Sequence, residues 1–130
     1  MNNWPKSIAE RRALFFPIWA EALRSGKYKQ GHGGLRSEGN RFCCLGVACD
    51  LGSKNAWDWD DPTGLGAYGG EVGVPDAETQ QLMGLYFDED GCLAEANDDG
   101  FTFEEIADYL EQAATLPPEK AKQLRRQFEM

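Results

Sequence analysis

The run Arg41-Phe42-Cys43-Cys44-Leu45-Gly46-Val47-Ala48-Cys49-Asp50-Leu51-Gly52 constrains the fold more than any other part of the chain. Apolar side chains dominate it, so it belongs in an interior. Residues 44–51 read as a compact buried helix ended by Gly52, and residues 41–43 as a strand leading into it. At 130 residues the chain has the length of one domain with one hydrophobic core, so the expectation is a single domain over residues 1–130.

Other helices announce themselves at their starts. Ser7-Ile8-Ala9-Glu10 has capping-box spacing, and Ile8, Leu14, Phe15, Ile18, Trp19, Ala22 and Leu23 follow at largely helical spacing. This predicts one amphipathic helix over residues 8–25, kinked near Ala13–Phe16 by Pro17 and closed by Gly26. Asp76 is placed to cap a short helix over residues 77–83. Thr102-Phe103-Glu104-Glu105 is a second capping box, with Phe103, Ile106, Ala107, Leu110 and Ala114 on one helical face through about residue 115. Pro118 suits the first turn of a last helix, within a C-terminal segment 117–130.

Between the helices the signals are those of strands and turns. Residues 27–43 read as a short antiparallel sheet with turns at Gly31–Gly34 and Glu38–Asn40, and residues 85–94 as a small hairpin or loop. Residues 52–75 are glycine-rich and irregular, and read as a variable loop. The fold class expected is α+β: a long N-terminal helix, a short antiparallel sheet and three to four further helices.

Charge narrows the function classes. The net charge is −9, which disfavours direct nucleic-acid binding. The distribution is uneven: residues 1–41 carry eight Lys/Arg and three acids, whereas residues 42–115 carry one Lys and 17 acids. A basic anion-binding face beside an acidic one is one reading, and pairing of the two segments across the fold is the other. No apolar run is long enough to span a membrane. Met1-Asn2-Asn3-Trp4-Pro5 has neither the basic start nor the apolar stretch of a secretory leader, so a cytoplasmic, reducing location is expected.

Four stretches could carry chemistry. Cys44 opens a helix, where a dipole can stabilise a thiolate, but a cysteine hydrolase needs a base. His32, the one histidine, precedes the cysteines in a glycine loop. Cys43, Cys44, Cys49 and Cys92 lack zinc spacing, and the acid-rich turns at 88–91 and 97–100 fail the register of a calcium loop, so neither a metal nor a cofactor is expected. The basic glycine hairpin offers Lys27, Lys29 and Arg36 as charges, Gln30 and Asn97 as hydrogen-bonding groups, and Tyr28, Trp57 or Trp59 as stacking surfaces for a small anionic or nucleotide-like ligand. Alternation would put Trp57 and Trp59 on one side of an extended segment. The acids Asp58, Asp60, Asp61, Asp88, Glu89 and Asp90 could instead meet a basic host protein.

Trp19, the stretch Ala22–Gly31, Leu35, the block Phe42–Leu51 and the block Asn97-Asp98-Asp99-Gly100-Phe101-Thr102-Phe103 with Ile106-Ala107-Asp108 carry a resemblance. Together they resemble a family of small uncharacterised proteins of tailed bacteriophages, prophages and some bacteria. The likeness covers about residues 14–110, with a variable middle at 52–80. It implies a setting: an accessory factor acting on the host, for example by capturing a nucleotide messenger or a defence protein.

Overall fold

The computed structural model describes residues 4–130; residues 1–3, on which the leader reading partly rests, lie outside them. In chain order the elements are α1 (Ile8–Arg24), β1 (Lys29–Gln30), β2 (Arg36–Ser37), β3 (Arg41–Phe42), α2 (Cys44–Gly52), β4 (Trp57–Asp60), β5 (Leu65–Tyr68), α3 (Ala77–Met83), α4 (Glu89–Asp98), α5 (Phe103–Ala113) and α6 (Pro118–Phe128). The fold class is α+β.

α2 is the interior helix. Residues Cys44 to Asp50 are all buried. Its first turn is held by Cys43, whose Sγ accepts from Gly46 N at 3.4 Å. Gly46 is dictated by packing, because a Cβ there would sit 1.8 Å from the carbonyl oxygen of Leu35. Asn97, fully buried at the end of α4, ties three segments together: its amide donates to Gly31 O at 2.7 Å, and its oxygen accepts from Cys44 N at 3.2 Å and Gln30 Nε2 at 2.9 Å. Trp19 of α1 donates to Cys44 O at 2.9 Å. The blocks Phe42–Leu51 and Asn97–Phe103 therefore meet in the core.

α1 packs chiefly against α5, and also against α2 and α3. Its buried face is Arg12, Phe16, Trp19, Ala20 and Leu23, an i, i+4, i+7, i+8, i+11 stripe. This face is rotated from the one expected: Leu14 and Ile18 are about half exposed. The cause is Arg12, which is drawn inside by an acid far along the chain. The helix also continues on both sides of Pro17, which is exposed, so the orphaned carbonyl one turn back can be met by water. On α5, Phe103, Ile106, Ala107, Leu110 and Ala114 are buried as expected, under a complete Thr102–Glu105 capping box.

Two segments depart from the sequence reading. Residues 57–68, placed in an irregular loop, form the β4–β5 hairpin, with Trp57 opposite Tyr68 and Asp60 opposite Leu65. The turn is stabilised by Asp60, whose carboxylate accepts from Thr63 Oγ1 at 2.6 Å. Residues 85–94, placed in a hairpin, contain the first half of α4. The sheet order is β1-β3-β2-β5-β4. It is mixed rather than antiparallel, because β1 pairs with β3 in parallel.

Glu89 explains why α4 forms there. It is fully buried and accepts from both terminal nitrogens of Arg12, from Tyr109 Oη at 2.6 Å, from Tyr86 N at 3.1 Å and from Arg125 Nη1 at 3.3 Å. The Arg12 guanidinium is sandwiched 4.3 Å from the Phe16 ring centroid and 4.0 Å from that of Tyr86. α1, α4, α5 and α6 thus converge on one carboxylate.

Candidate functional site

The proposed ligand residues divide into three groups. Gln30 and Asn97 are spent inside. Gln30 Nε2 donates to Asn97 Oδ1 and to Phe101 O at 2.7 Å, while its oxygen accepts from Phe103 N at 3.2 Å. Gln30 braces β1 against the start of α5, and Asn97 braces the end of α4 against β1, Gly31 and the start of α2, a correction to their ligand-binding assignment. Lys29 lies opposite Arg41 in the β1–β3 register, whereas Gln30 lies opposite Phe42. Alternation therefore puts Lys29 on the sheet face away from Phe42 and Arg36, which removes it from the site.

Tyr28, Arg36 and Trp57 do come together, and the sequence reading missed what joins them. The aromatic row Tyr28–Phe42–Trp57–Tyr68 has edge-on neighbours with centroids 5.2, 5.9 and 5.2 Å apart. At its base is Asp50, the acid of α2. Its carboxylate accepts from Tyr28 Oη at 2.7 Å, Trp57 Nε1 at 3.0 Å and Lys54 Nζ at 2.7 Å. Burial alone would raise the Asp50 carboxyl, but these donors outweigh it and hold it below its ordinary 3.8. Burial, and then the bond to Asp50, push the Tyr28 phenol up, so it stays a donor. A lone acid inside the apolar run 42–51 was the available signal for this hub.

Arg36 lies over the row, 5.1 Å from the Phe42 centroid and 5.4 Å from that of Trp57. Its stem covers Gly66, the neighbour directly across from it on β5, where a Cβ would meet Arg36 Cβ at 2.9 Å. Arg36 Nη2 donates to Asn40 Oδ1 at 2.6 Å, but its buried Nε has no partner. Trp59 shares the β4 face with Trp57 and is paired across the hairpin with Gly66. It is 57% exposed. Beside the row, Lys27, Tyr28 and Lys54 line a surface cavity of about 380 Å³.

Arg36 and Trp59 are both paired across the sheet with Gly66 and so share this face, while Lys27 and Lys54 line the cavity beside it together with Glu21. Among the described residues Cys44 and His32 make no hydrogen bond to each other. Cys44 is fully buried, its thiol donates to Leu93 O at 3.5 Å, and burial pushes it well above its ordinary value. Burial likewise raises Cys43 to about 11. His32 is exposed and makes no hydrogen bond among the described residues. The Cys44–His32 reading is corrected on these grounds, since desolvation overrides the helix dipole at this N-terminus.

The acidic stretches are also split. Glu89 is buried, while Asp58 is exposed on β4, an edge strand, and Asp61 is exposed in the turn that follows it. No helix among the described residues is long and apolar enough to cross a membrane.

These features define a small α+β protein with an aromatic and cation-bearing sheet face. Within it, residues 17–69 match a family model described as a domain of unknown function, DUF8296. The matched span runs from α1 through β5, and so takes in α2, the aromatic row, Asp50 and Arg36. No curated protein and no solved structure matches the chain.

Proposed function

We propose that this chain is a non-enzymatic binding protein that takes a small anionic or nucleotide-like ligand on the face built from Trp59, Arg36, Tyr28, Lys27 and Lys54. The observation that carries the reading is Arg36: a guanidinium held over two aromatic rings, with a buried N–H lacking an acceptor, beside an exposed tryptophan. A buried donor without a partner costs about 1–3 kcal/mol, so a ligand acceptor that shifted this side chain into a bond would recover part of that cost. Trp57, Tyr28 and Lys54 each give a donor to Asp50, so they offer a ligand ring surface and charge rather than those hydrogen bonds. The resemblance to phage-associated proteins supports an accessory, counter-defence role in the host cytoplasm, in which the ligand is sequestered rather than converted.

Native mass spectrometry of the protein purified from expressing cells, followed by calorimetry with the ligand so identified, tests this. The reading expects a bound mass that is lost on denaturation, and at least tenfold weaker binding in the Lys27→Ala, Arg36→Ala variant. Unchanged affinity in that variant removes the site.

A second reading rests on β4. Exposed Asp58, on the β4 face opposite Trp59, and exposed Asp61, in the turn after β4, give this edge an acidic character that suits a basic protein partner. The charges also protect an edge strand from pairing with another chain. A partner captured through this edge would release steeply with salt, and a complex indifferent to salt would exclude the acidic contact.

A further inference from the structure

The ion network inside the helical layer is not balanced. Arg12 and Arg125 are both buried, at 0% and 8% exposure, and Glu89 is the one carboxylate within ion-pair distance of either among the described residues. Arg12 satisfies it with two bonds and gives two further donors to Ala113 O and Gly84 O. Arg125 uses only Nη1, which donates to Tyr109 Oη at 2.8 Å and to Glu89 at 3.3 Å. Its Nε and Nη2 meet no protein acceptor among the described residues. Among the described residues the one buried side-chain nitrogen or oxygen without a partner is Arg36 Nε, so the free N–H groups of Arg125 reach solvent and are open to a ligand.

These free donors face a cavity. Arg125 lines a space of about 530 Å³ between α6, α4 and the start of α1. Its walls are apolar at Ile8, Tyr86, Pro118 and Met130, and at Phe87, which stands 91% exposed. Phe87 precedes Asp88, whose φ of +67° is a conformation that non-glycine residues rarely hold. The turn thus presents a large ring to solvent at the mouth of a basic cavity. Lys122 and Arg126 add positive charge to the lining, and Asp88 and Glu119 offset it.

We propose that this cavity binds a carboxylate carried on an apolar body, with the free N–H groups of Arg125 taking the carboxylate and Phe87 forming part of the apolar wall. The planar guanidinium fork fits a carboxylate. The charge count selects a monoanion, since Asp88 and Glu119 repel a multiply charged phosphate. The site lies on elements other than the sheet face and stands independently of it.

Two probes separate the sources of such a group: octanoate for a free acid, and N-acetyl-leucyl-leucine for a peptide C-terminus. Each is titrated by ¹H–¹⁵N NMR against its uncharged amide. Saturable shifts of Arg125 Nε–H and of the Phe87 and Cys92 amides with one acid but not its amide are expected, and the responding acid identifies the source. Arg125→Met should weaken that binding by a factor of about thirty or more. Phe87→Asp, at an exposed ring, keeps the fold and places a repelling charge at the mouth, so it should abolish binding even if Arg125→Met folds poorly. The proposal is overturned if neither acid shifts these signals, if the amides bind equally well, or if Phe87→Asp binds as the wild type does.

Discussion

Glu89→Gln is the substitution with the largest consequence that the structure allows to be worked out. It keeps the size of the side chain and removes one charge. The wild-type carboxylate meets two guanidiniums, a phenol and a backbone N–H without any exposure to water. With a neutral amide there, Arg12 and Arg125 face each other uncompensated, and the amide nitrogen must point at a donor. Removing one partner of a buried ion pair costs about 3–5 kcal/mol. A domain has about 5–15 kcal/mol in total. At this chain length each kcal/mol lowers the melting temperature by about 3–5 °C, so a drop of about 10–25 °C is expected. The companion Arg125→Met should cost less than about 1 kcal/mol, because Arg12 alone neutralises Glu89 and Tyr109 keeps its bond to it. Urea unfolding followed by tryptophan fluorescence, with near-UV circular dichroism as a second probe, measures both. Glu89→Gln within about 1 kcal/mol of wild type, or Arg125→Met as costly as Glu89→Gln, would refute the charge accounting.

Three further outcomes follow from particular contacts. Gly46→Ala should cost more than about 3 kcal/mol or prevent folding, because its methyl group would overlap the Leu35 carbonyl; soluble, cooperative wild-type-like melting would contradict this packing. Iodoacetamide should label half-buried Cys92 in the native protein, and Cys43, Cys44 and Cys49 only after denaturation; mass spectrometry of the digest reads this, and fast native labelling of Cys44 would restore the nucleophile. Asp50 titrates below 3.8 in the fold, so its contribution is present above that pH and is lost as pH falls through the folded value. The stability gap between wild type and Asp50→Asn should therefore be full at neutral pH and close in acid, and a gap that widens in acid would reverse the assignment.

The helix starts were legible because their chemistry is local. Ser7, Asp76 and Thr102 each accept from a backbone N–H three residues on, as their spacing implies. The helix from Cys44 was legible from its apolar run. What failed were segments whose structure is decided at long range. Asp88-Glu89-Asp90-Gly91 has turn chemistry, yet it enters a helix because Glu89 is claimed by Arg12, 77 positions away. The β4–β5 hairpin hides behind Asp58, Asp60 and Gly66, poor strand formers held by pairing and by the Asp60–Thr63 turn. In the site, Tyr28, Arg36 and Trp57 were legible as types. Asp50, which gathers them, was not, because an acid in a buried helix acquires meaning only when its donors fold over it. Gln30 and Asn97 were misassigned for the converse reason: polar side chains inside a core satisfy backbone groups that no local pattern reveals.

The central claim is that the sheet face binds a planar anionic ligand, and the four indole N–H signals test it most directly. Trp4 donates to Leu82 O, Trp19 to Cys44 O and Trp57 to Asp50, whereas Trp59 has no acceptor among the described residues. Titration of ¹⁵N-labelled protein with linear and cyclic purine and pyrimidine nucleotides should shift the Trp59 indole and the Arg36 Nε–H together and saturably, and leave Trp19 unmoved. If both signals stay fixed across that series, the sheet face is not a nucleotide-binding surface.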